Sequence, residues 1–124
     1  MSALIGKRVL ILEDEYLLAM EAAETLEELG AVVVGPAHRV EAAKVLVLGG
    51  NIDVALLDMN INGEPSSPIA ELLSACGVPY VYATGYGAAA DVPKGVMIVD
   101  KPYTREEIET ALTSVLSTHK TSVA

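Results

Sequence analysis

The chain has 124 residues, of which 52% are hydrophobic, and its formal net charge is −9. A chain of this length and apolar content can bury the core of one domain, which excludes global disorder and makes stapling by disulfides or structural metals unnecessary. The acidic balance argues against direct binding to nucleic acid, because neutralising phosphates needs clustered Lys and Arg.

The chain also lacks features of an exported or membrane protein. Its first apolar stretch ends at once in Glu13, Asp14 and Glu15, without a small-residue cleavage site. Nothing approaches the ~20 apolar residues that a membrane helix requires. The single cysteine, Cys76, fits a reducing compartment. We therefore expect a soluble, cytoplasmic protein that does not bind a membrane.

Short, Val-rich apolar runs recur along the chain and predict strands. Continuous runs of this kind are typical of strands that are buried on both faces of a parallel sheet. In chain order they cover residues 8–12, 31–35, 54–57, 79–84 and 96–99.

The segments between these runs show helical spacing of apolar residues. Their stripes are Leu18, Ala22, Leu26 and Leu29; Val40, Ala43, Leu46 and Val47; Ile69, Leu72, Leu73 and Cys76; and Ile108, Ala111, Leu112, Val115 and Leu116. Gly30 suits a helix C-terminus, Ser67 suits an N-cap, and the run 104–107 has the capping-box pattern. The third stripe places Cys76 in the core, and residues 117–124 are expected to form a frayed, flexible tail.

This alternation predicts one doubly wound α/β domain with a five-stranded parallel sheet over residues 1–124. Polar residues follow the ends of four of the five predicted strands, and ligands of such sheets bind beyond the carboxyl ends of the strands. The side chains expected to meet at this edge are Glu13, Asp14, Asp58, Thr84 and Lys101.

Three carboxylates at one edge repel each other. At ~5 Å and an effective dielectric constant of ~20, each pair costs roughly 3 kcal/mol. Such a cluster either becomes partly protonated or binds a hard cation, and Mg²⁺ prefers oxygen ligands and often works beside phosphate. With Lys101 and Mg²⁺, the charges of Glu13, Asp14 and Asp58 sum to zero, an arrangement suited to phosphoryl transfer.

These motifs resemble the receiver domain of two-component response regulators, a CheY-like family, over nearly the whole chain. "LILEDE" resembles the acidic pair of the family, which implies that Glu13 and Asp14 bind the metal. "LLDMN" matches the phosphoacceptor motif, which implies that Asp58 is phosphorylated and is a metal ligand. The resemblance also implies that the main-chain carbonyl of Asn60 completes the protein's metal ligands.

The resemblance continues in the second half of the chain. Thr84 is similar to the switch hydroxyl of the family, which moves to bond the phosphoryl oxygen. Lys101-Pro102 is similar to the phosphate-contacting lysine and the cis peptide bond that follows it. A receiver accepts its phosphoryl group from a sensor histidine kinase and catalyses only its own phosphorylation and dephosphorylation, so it is not an enzyme in the usual sense.

"YATGYG" resembles the F-A-T-G-Y stretch of single-domain receivers that are often paired with HWE-type histidine kinases, with Tyr82 in place of phenylalanine. Because the chain ends soon after its last predicted helix, we expect no output domain. The resemblance then implies a phosphate sink, a relay intermediate that meets a histidine phosphotransferase, or a switch that binds a downstream protein. A monomer or weak homodimer is expected.

Two features depart from the family pattern. Ile98 occupies the position of the usual Tyr or Phe, and "DMNINGE" lacks the usual proline. The segment 85–95 contains three glycines and a proline, which predicts a fourth helix that is short or disordered. We hypothesise that phosphorylation orders this segment.

Other interpretations remain open at this stage. The domain could be a pseudo-receiver that binds partners without phosphorylation, or a small Mg²⁺-dependent phosphohydrolase. Glu15 is interpreted as a first-turn residue that favours the helix dipole, and Asp100 as solvated or structural. His38 is assigned to no metal site.

Overall fold

The computed structural model describes residues 2–85 and 96–123, with side chains described up to residue 118. The strands are β1 (Arg8–Leu12), β2 (Val32–Ala37), β3 (Val54–Asp58), β4 (Asn60–Ile61), β5 (Glu64–Pro65), β6 (Tyr80–Thr84) and β7 (Ile98–Asp100). The helices are α1 (Tyr16–Glu28), α2 (Val40–Leu48), α3 (Ser67–Ala75) and α4 (Arg105–Val123). The short or disordered fourth helix predicted for segment 85–95, and its ordering by phosphorylation, concern residues that, apart from Gly85, lie outside the described ranges.

The main sheet has five parallel strands, as the sequence predicts, and their order is β2-β1-β3-β6-β7. The chain runs outward from β1 to β2 and then crosses back to β3 on the other side of β1. This reversal opens a crevice at the carboxyl ends of β1 and β3, where ligands of doubly wound sheets bind. The strand order therefore directs attention to Glu13, Asp14 and Asp58.

Both faces of the sheet are covered, which explains the continuous apolar runs. In β1, Val9 and Ile11 pack with residues of α1 and α4, whereas Leu10 and Leu12 pack with residues of α2 and α3. All four side chains are at most 1% exposed. Strand β1 is thus fixed from both sides, and the residues that follow it are held in place.

A small hairpin of β4 and β5 lies between β3 and α3, and the sequence analysis missed it. Its two-residue turn is Asn62-Gly63, and both residues have positive φ, 52° and 84°. Asn-Gly is the preferred pair for this type of hairpin turn, because both positions require a left-handed backbone. The signal was present, but the flanking strands are only two residues long.

The helix ends agree with the sequence at two places and differ at a third. Gly30, with φ of +89°, follows α1. At the start of α4, Thr104 and Glu107 exchange side-chain to main-chain hydrogen bonds of 2.8 and 3.1 Å, which confirms the capping box. The N-cap of α3, however, is Ser66 rather than Ser67, and its hydroxyl does not cap the helix.

One further expectation is corrected. Cys76 is exposed, because α3 ends at Ala75 and its last turn leaves the core. Helix α4 continues through Val123, and the flexible tail expected for residues 117–124 stays a prediction. Residues 117–123 contain neither Gly nor Pro, and extending an existing helix adds one hydrogen bond for each residue fixed. Among the described residues, none of the helices is long and apolar enough to span a membrane.

Candidate functional site: an acidic pocket at the carboxyl edge of the sheet

Four charged side chains converge at the carboxyl edge of the sheet. Glu13 and Asp14 follow β1 directly, Asp58 is the last residue of β3, and Lys101 follows β7. Parallel pairing aligns the carboxyl ends of β1, β3, β6 and β7 at one edge, with Leu12 opposite Leu57, Asp58 opposite Ala83 and Thr84 opposite Asp100. The structure therefore brings together the four charged side chains among the five that the sequence placed at this edge.

The three carboxylates are close enough to share one cation. Glu13, Asp14 and Asp58 each present an oxygen, and these oxygens lie within 4.8 Å of one another. Glu13 is only 6% exposed, whereas Asp14 and Asp58 are half-buried. An all-oxygen donor set on a partly open edge is the kind of site that Mg²⁺ occupies. The described residues thus form a candidate metal site.

Lys101 is the positive partner of this cluster. Its Nζ donates to Glu13 Oε2 at 2.8 Å and to Asp58 Oδ2 at 2.9 Å. Burial alone would lower the pKa of Lys101, but its hydrogen bonds to the two carboxylates outweigh burial and raise the pKa. The ammonium therefore stays charged beside Asp58.

Glu13 is the carboxyl group most affected by its surroundings. Burial, followed by its hydrogen bond with Asp58, raises the pKa of Glu13 to about 7, although Lys101 acts in the opposite direction. Near neutral pH and without a metal, Glu13 therefore holds a proton part of the time. This is one of the two ways in which crowded carboxylates relieve their repulsion.

The outer rim of the site is held by the β4–β5 hairpin. The main-chain N–H of Asn62 donates to Asp14 Oδ2 at 2.9 Å, and the Asn62 amide donates to the His38 carbonyl at 3.2 Å. The His38 ring bonds the Glu13 carbonyl at 2.9 Å and stacks on Tyr16 at 5.2 Å. His38 thus supports the main chain of the acidic pair, and nothing in these contacts makes it a metal ligand.

Asn60 lies in β4, two residues beyond Asp58. Its side-chain oxygen accepts a hydrogen bond of 3.0 Å from the Gly63 N–H, so the side chain belongs to the hairpin. The role expected for its main-chain carbonyl as a metal ligand stays a prediction.

The main chain of Asp58 is fixed by a residue that sequence reasoning missed. Ser66 is fully buried, and its hydroxyl donates to the Asp58 carbonyl. The main-chain N–H of Ser66 donates to the Met59 carbonyl at 2.9 Å. Burial raises the pKa of Tyr82, and a hydrogen bond with Ser66 opposes that shift. Ser66 therefore links the loop after β3 to the interior beneath it.

Thr84 and Lys101 are connected through their main chains. The Lys101 N–H donates to the Thr84 carbonyl at 2.6 Å, and the Lys101-Pro102 peptide bond is cis, as expected. Thr84 is only 2% exposed, and its hydroxyl donates a hydrogen bond of 3.1 Å to Asp100 Oδ1. Asp100 is therefore a hydrogen-bond partner of Thr84, which refines its interpretation as solvated or structural.

Tyr103 packs against the core on the α1–α4 face of the sheet. Burial, and then the negative charge of Glu13, raises the pKa of Tyr103 to about 12. The phenol thus remains neutral, and Tyr103 lines a small cavity together with Lys101.

Comparison with known proteins identifies the family. No protein-family model matches the chain. The solution structure of SdrG from Sphingomonas melonis Fr1 is 40% identical, with a TM-score of 0.79, over 94% of this chain and 99% of that one. The receiver (REC) domain of the response regulator PhyR from Erythrobacter litoralis is 26% identical, with a TM-score of 0.80 and 93% of each chain covered. The chain belongs to the receiver family of response regulators.

A curated relative of this receiver domain is longer. The phyllosphere-induced regulator PhyR from Methylorubrum extorquens is 26% identical over 122 residues, which are 94% of this chain but 46% of that protein. The receiver domain therefore spans about half the length of the curated relative that it matches. The expected family and its five-stranded fold are both confirmed.

Proposed function

We propose that this receiver domain accepts a phosphoryl group on Asp58 in a Mg²⁺-dependent reaction and passes the signal on through protein partners. The observation that carries the proposal is the position of Asp58. Its carboxylate lies within 4.8 Å of those of Glu13 and Asp14, and Lys101 Nζ is 2.9 Å from Asp58 Oδ2. An aspartate that lies beside a lysine and two possible metal-binding carboxylates is suited to become an acyl phosphate.

Transfer from a phosphohistidine of a sensor kinase needs no further reactant. A carboxylate oxygen of Asp58 forms a bond to the phosphorus as the bond between the phosphorus and the histidine's imidazole nitrogen breaks. The electron pair of that bond stays on the imidazole. Lys101, already beside Asp58 Oδ2, stabilises the charge on the transferred group by contact with a phosphoryl oxygen.

Glu13, Asp14 and Asp58 would hold Mg²⁺, with the Asn60 carbonyl as the further protein ligand. Their all-oxygen chemistry fits this cation, and the partly protonated state of Glu13 fits a cluster that a divalent ion would relieve. When bound, Mg²⁺ neutralises charge on the phosphoryl oxygens. The chain's own residues hold the acceptor, orient it and supply the second positive charge.

The surface beside the site suits a protein donor. Helix α1 begins directly after the acidic pair, and its exposed side includes Tyr16, Leu17 and Met20, with exposures of 64%, 77% and 47%. Adjoining exposed apolar side chains next to a charged pocket favour docking of another protein. We propose a sensor histidine kinase of the HWE type, which the "YATGYG" motif indicates, as the donor. A histidine phosphotransferase or a downstream target would receive the signal, with no role for nucleic acid.

The proposal is tested by intact-mass measurement after incubation with acetyl phosphate and Mg²⁺. One phosphoryl group should be added, and it should be lost in base. Asp58→Asn should abolish the addition, because it removes the accepting carboxylate. Asp53→Asn is the matched control: Asp53 lies just before β3, is exposed and bonds the Arg8 N–H at 2.8 Å. Phosphorylation that survives Asp58→Asn would overturn the assignment.

A further inference from the structure

The hydrogen bond between Thr84 and Asp100 has a chemical consequence. These residues are direct partners in the parallel pairing of β6 with β7. Two residues earlier, the paired Tyr82 and Ile98 pack on the α2–α3 face, so strand alternation points Thr84 and Asp100 to that same face. Asp100 is exposed and lies outside the carboxylate cluster. Its carboxylate nevertheless accepts the Thr84 hydroxyl at 3.1 Å.

A threonine hydroxyl has one proton to donate. An ionised carboxylate and a phosphoryl oxygen are both acceptors, so Thr84 can satisfy only one of them. We propose that Asp100 is a positioning residue that competes with the phosphoryl group for the Thr84 hydroxyl. Its hydrogen bond therefore stabilises the unphosphorylated protein relative to the phosphorylated one. This inference rests on the proposed phosphorylation of Asp58.

The competition concerns the side chain of Thr84 and not its main chain. The Thr84 carbonyl is tied to the Lys101 N–H at 2.6 Å, and β6 is paired on both sides, with β3 and β7. A threonine side chain occupies discrete rotamers, so the hydroxyl leaves Asp100 in a single step. Releasing Thr84 from Asp100 therefore frees the donor without disturbing the strand that carries it.

Removal of the competitor should strengthen binding of a phosphoryl mimic. Hydrogen bonds to charged acceptors are among the stronger ones, but exposure of Asp100 weakens this one, so we expect a change of about tenfold. The probe is beryllofluoride with Mg²⁺, which mimics an acyl phosphate on aspartate. Asp100→Ala should bind it about tenfold more tightly than the parent, as measured by titration with nuclear magnetic resonance. An unchanged or weaker affinity would overturn the proposal.

Two Thr84 backgrounds separate competition for the proton from simple loss of negative charge. With Thr84→Ser, which keeps the hydroxyl, Asp100→Ala should still tighten binding. With Thr84→Val, which lacks it, the gain should vanish. If the gain persists with Thr84→Val, Asp100 acts by charge alone and the proposal is wrong. Asp100→Asn, close in shape, guards against loss of folding and should give a gain in the same direction.

A second readout separates failure of this inference from failure of the proposed function. In the unmodified protein, Asp100→Ala should change the rotamer populations of Thr84, measured by scalar couplings across its side chain. Glu106→Gln, which neutralises an exposed acid in the first turn of α4, should leave them unchanged. If the parent binds no beryllofluoride, the proposed function fails. If instead the Thr84 rotamers ignore Asp100, the positioning role fails while phosphorylation stands.

Discussion

Lys101 and Thr84 lie at the ends of neighbouring strands, but the structure holds their side chains in different ways. The ammonium of Lys101 is bonded to two carboxylates of the site, at 2.8 and 2.9 Å. The hydroxyl of Thr84 is bonded to a carboxylate that lies outside the site. In the proposed phosphotransfer, Lys101 is therefore already in place for the incoming negative charge, whereas Thr84 must give up a partner to reach it. The Lys101 side chain is preorganised for phosphoryl transfer, whereas the Thr84 side chain can respond to it by exchanging one hydrogen-bond partner for another.

The largest expected effect comes from breaking the prepared side. Lys101→Ala should lower the rate of phosphorylation by acetyl phosphate roughly 100-fold, because a preorganised positive charge beside the acceptor is lost. Binding of Mg²⁺ should be at least as tight as in the parent, since Glu13 and Asp58 lose a competing cation. Initial rates from intact mass, together with Mg²⁺ titrations, give both values.

Lys44→Ala is the matched control for the lysine substitution. Lys44 is exposed on α2 and is not one of the four charged residues at the carboxyl edge of the sheet. Its replacement should change neither the rate nor the metal affinity. A Lys101→Ala variant with the parent's rate would show that the ammonium is a structural neighbour of Asp58 and nothing more.

A smaller effect is expected from Asp14. Asp14→Ala should weaken Mg²⁺ binding about tenfold or more and slow phosphorylation with it, because one of the three clustered carboxylates is removed. The fold should survive, since the change relieves repulsion among the carboxylates. Glu15→Ala provides the comparison: its side chain is exposed and lies outside the cluster. Equal Mg²⁺ affinities of Asp14→Ala and the parent would exclude Asp14 as a ligand.

The smallest effect concerns the support of Asp58. Ser66→Ala removes the hydroxyl that donates to the Asp58 carbonyl, and the free energy of unfolding should fall by about 1 kcal/mol. Urea unfolding measures this value. Ser67→Ala, at the exposed neighbouring position, should change stability less. If both substitutions have the same effect, the hydrogen bond of Ser66 does not hold Asp58.

The strands and the convergence of charge were predictable from sequence because each depends on a local pattern. Apolar runs buried on both faces identify a parallel sheet, and a parallel sheet brings all its carboxyl ends to one edge. Glu13, Asp58 and Lys101 could therefore be placed together although they are far apart in the chain. The capping box at Thr104 was readable for the same reason.

The contacts that sequence reasoning missed depend on register and on the paths of loops. To predict the hydrogen bond between Thr84 and Asp100, one must know that these two residues are paired across strands. The role of Ser66 depends on how the β4–β5 hairpin returns the chain to β3. The Asn62-Gly63 pair marks the turn, but it does not show that Ser66 meets the Asp58 carbonyl. Cys76 fitted a helical stripe, but the stripe continued past the actual end of α3.

Asp58 should be the only residue that accepts a phosphoryl group, and reductive trapping tests this most directly. Borohydride converts an aspartyl phosphate to homoserine, so the modified position is read from the masses of the peptides. After treatment with acetyl phosphate and Mg²⁺, homoserine should appear at position 58 and at no other aspartate, and omission of Mg²⁺ should greatly reduce it. Homoserine at Asp14, Asp53 or Asp100, or none at position 58 in the phosphorylated protein, would contradict the assignment of Asp58 as the phosphoacceptor.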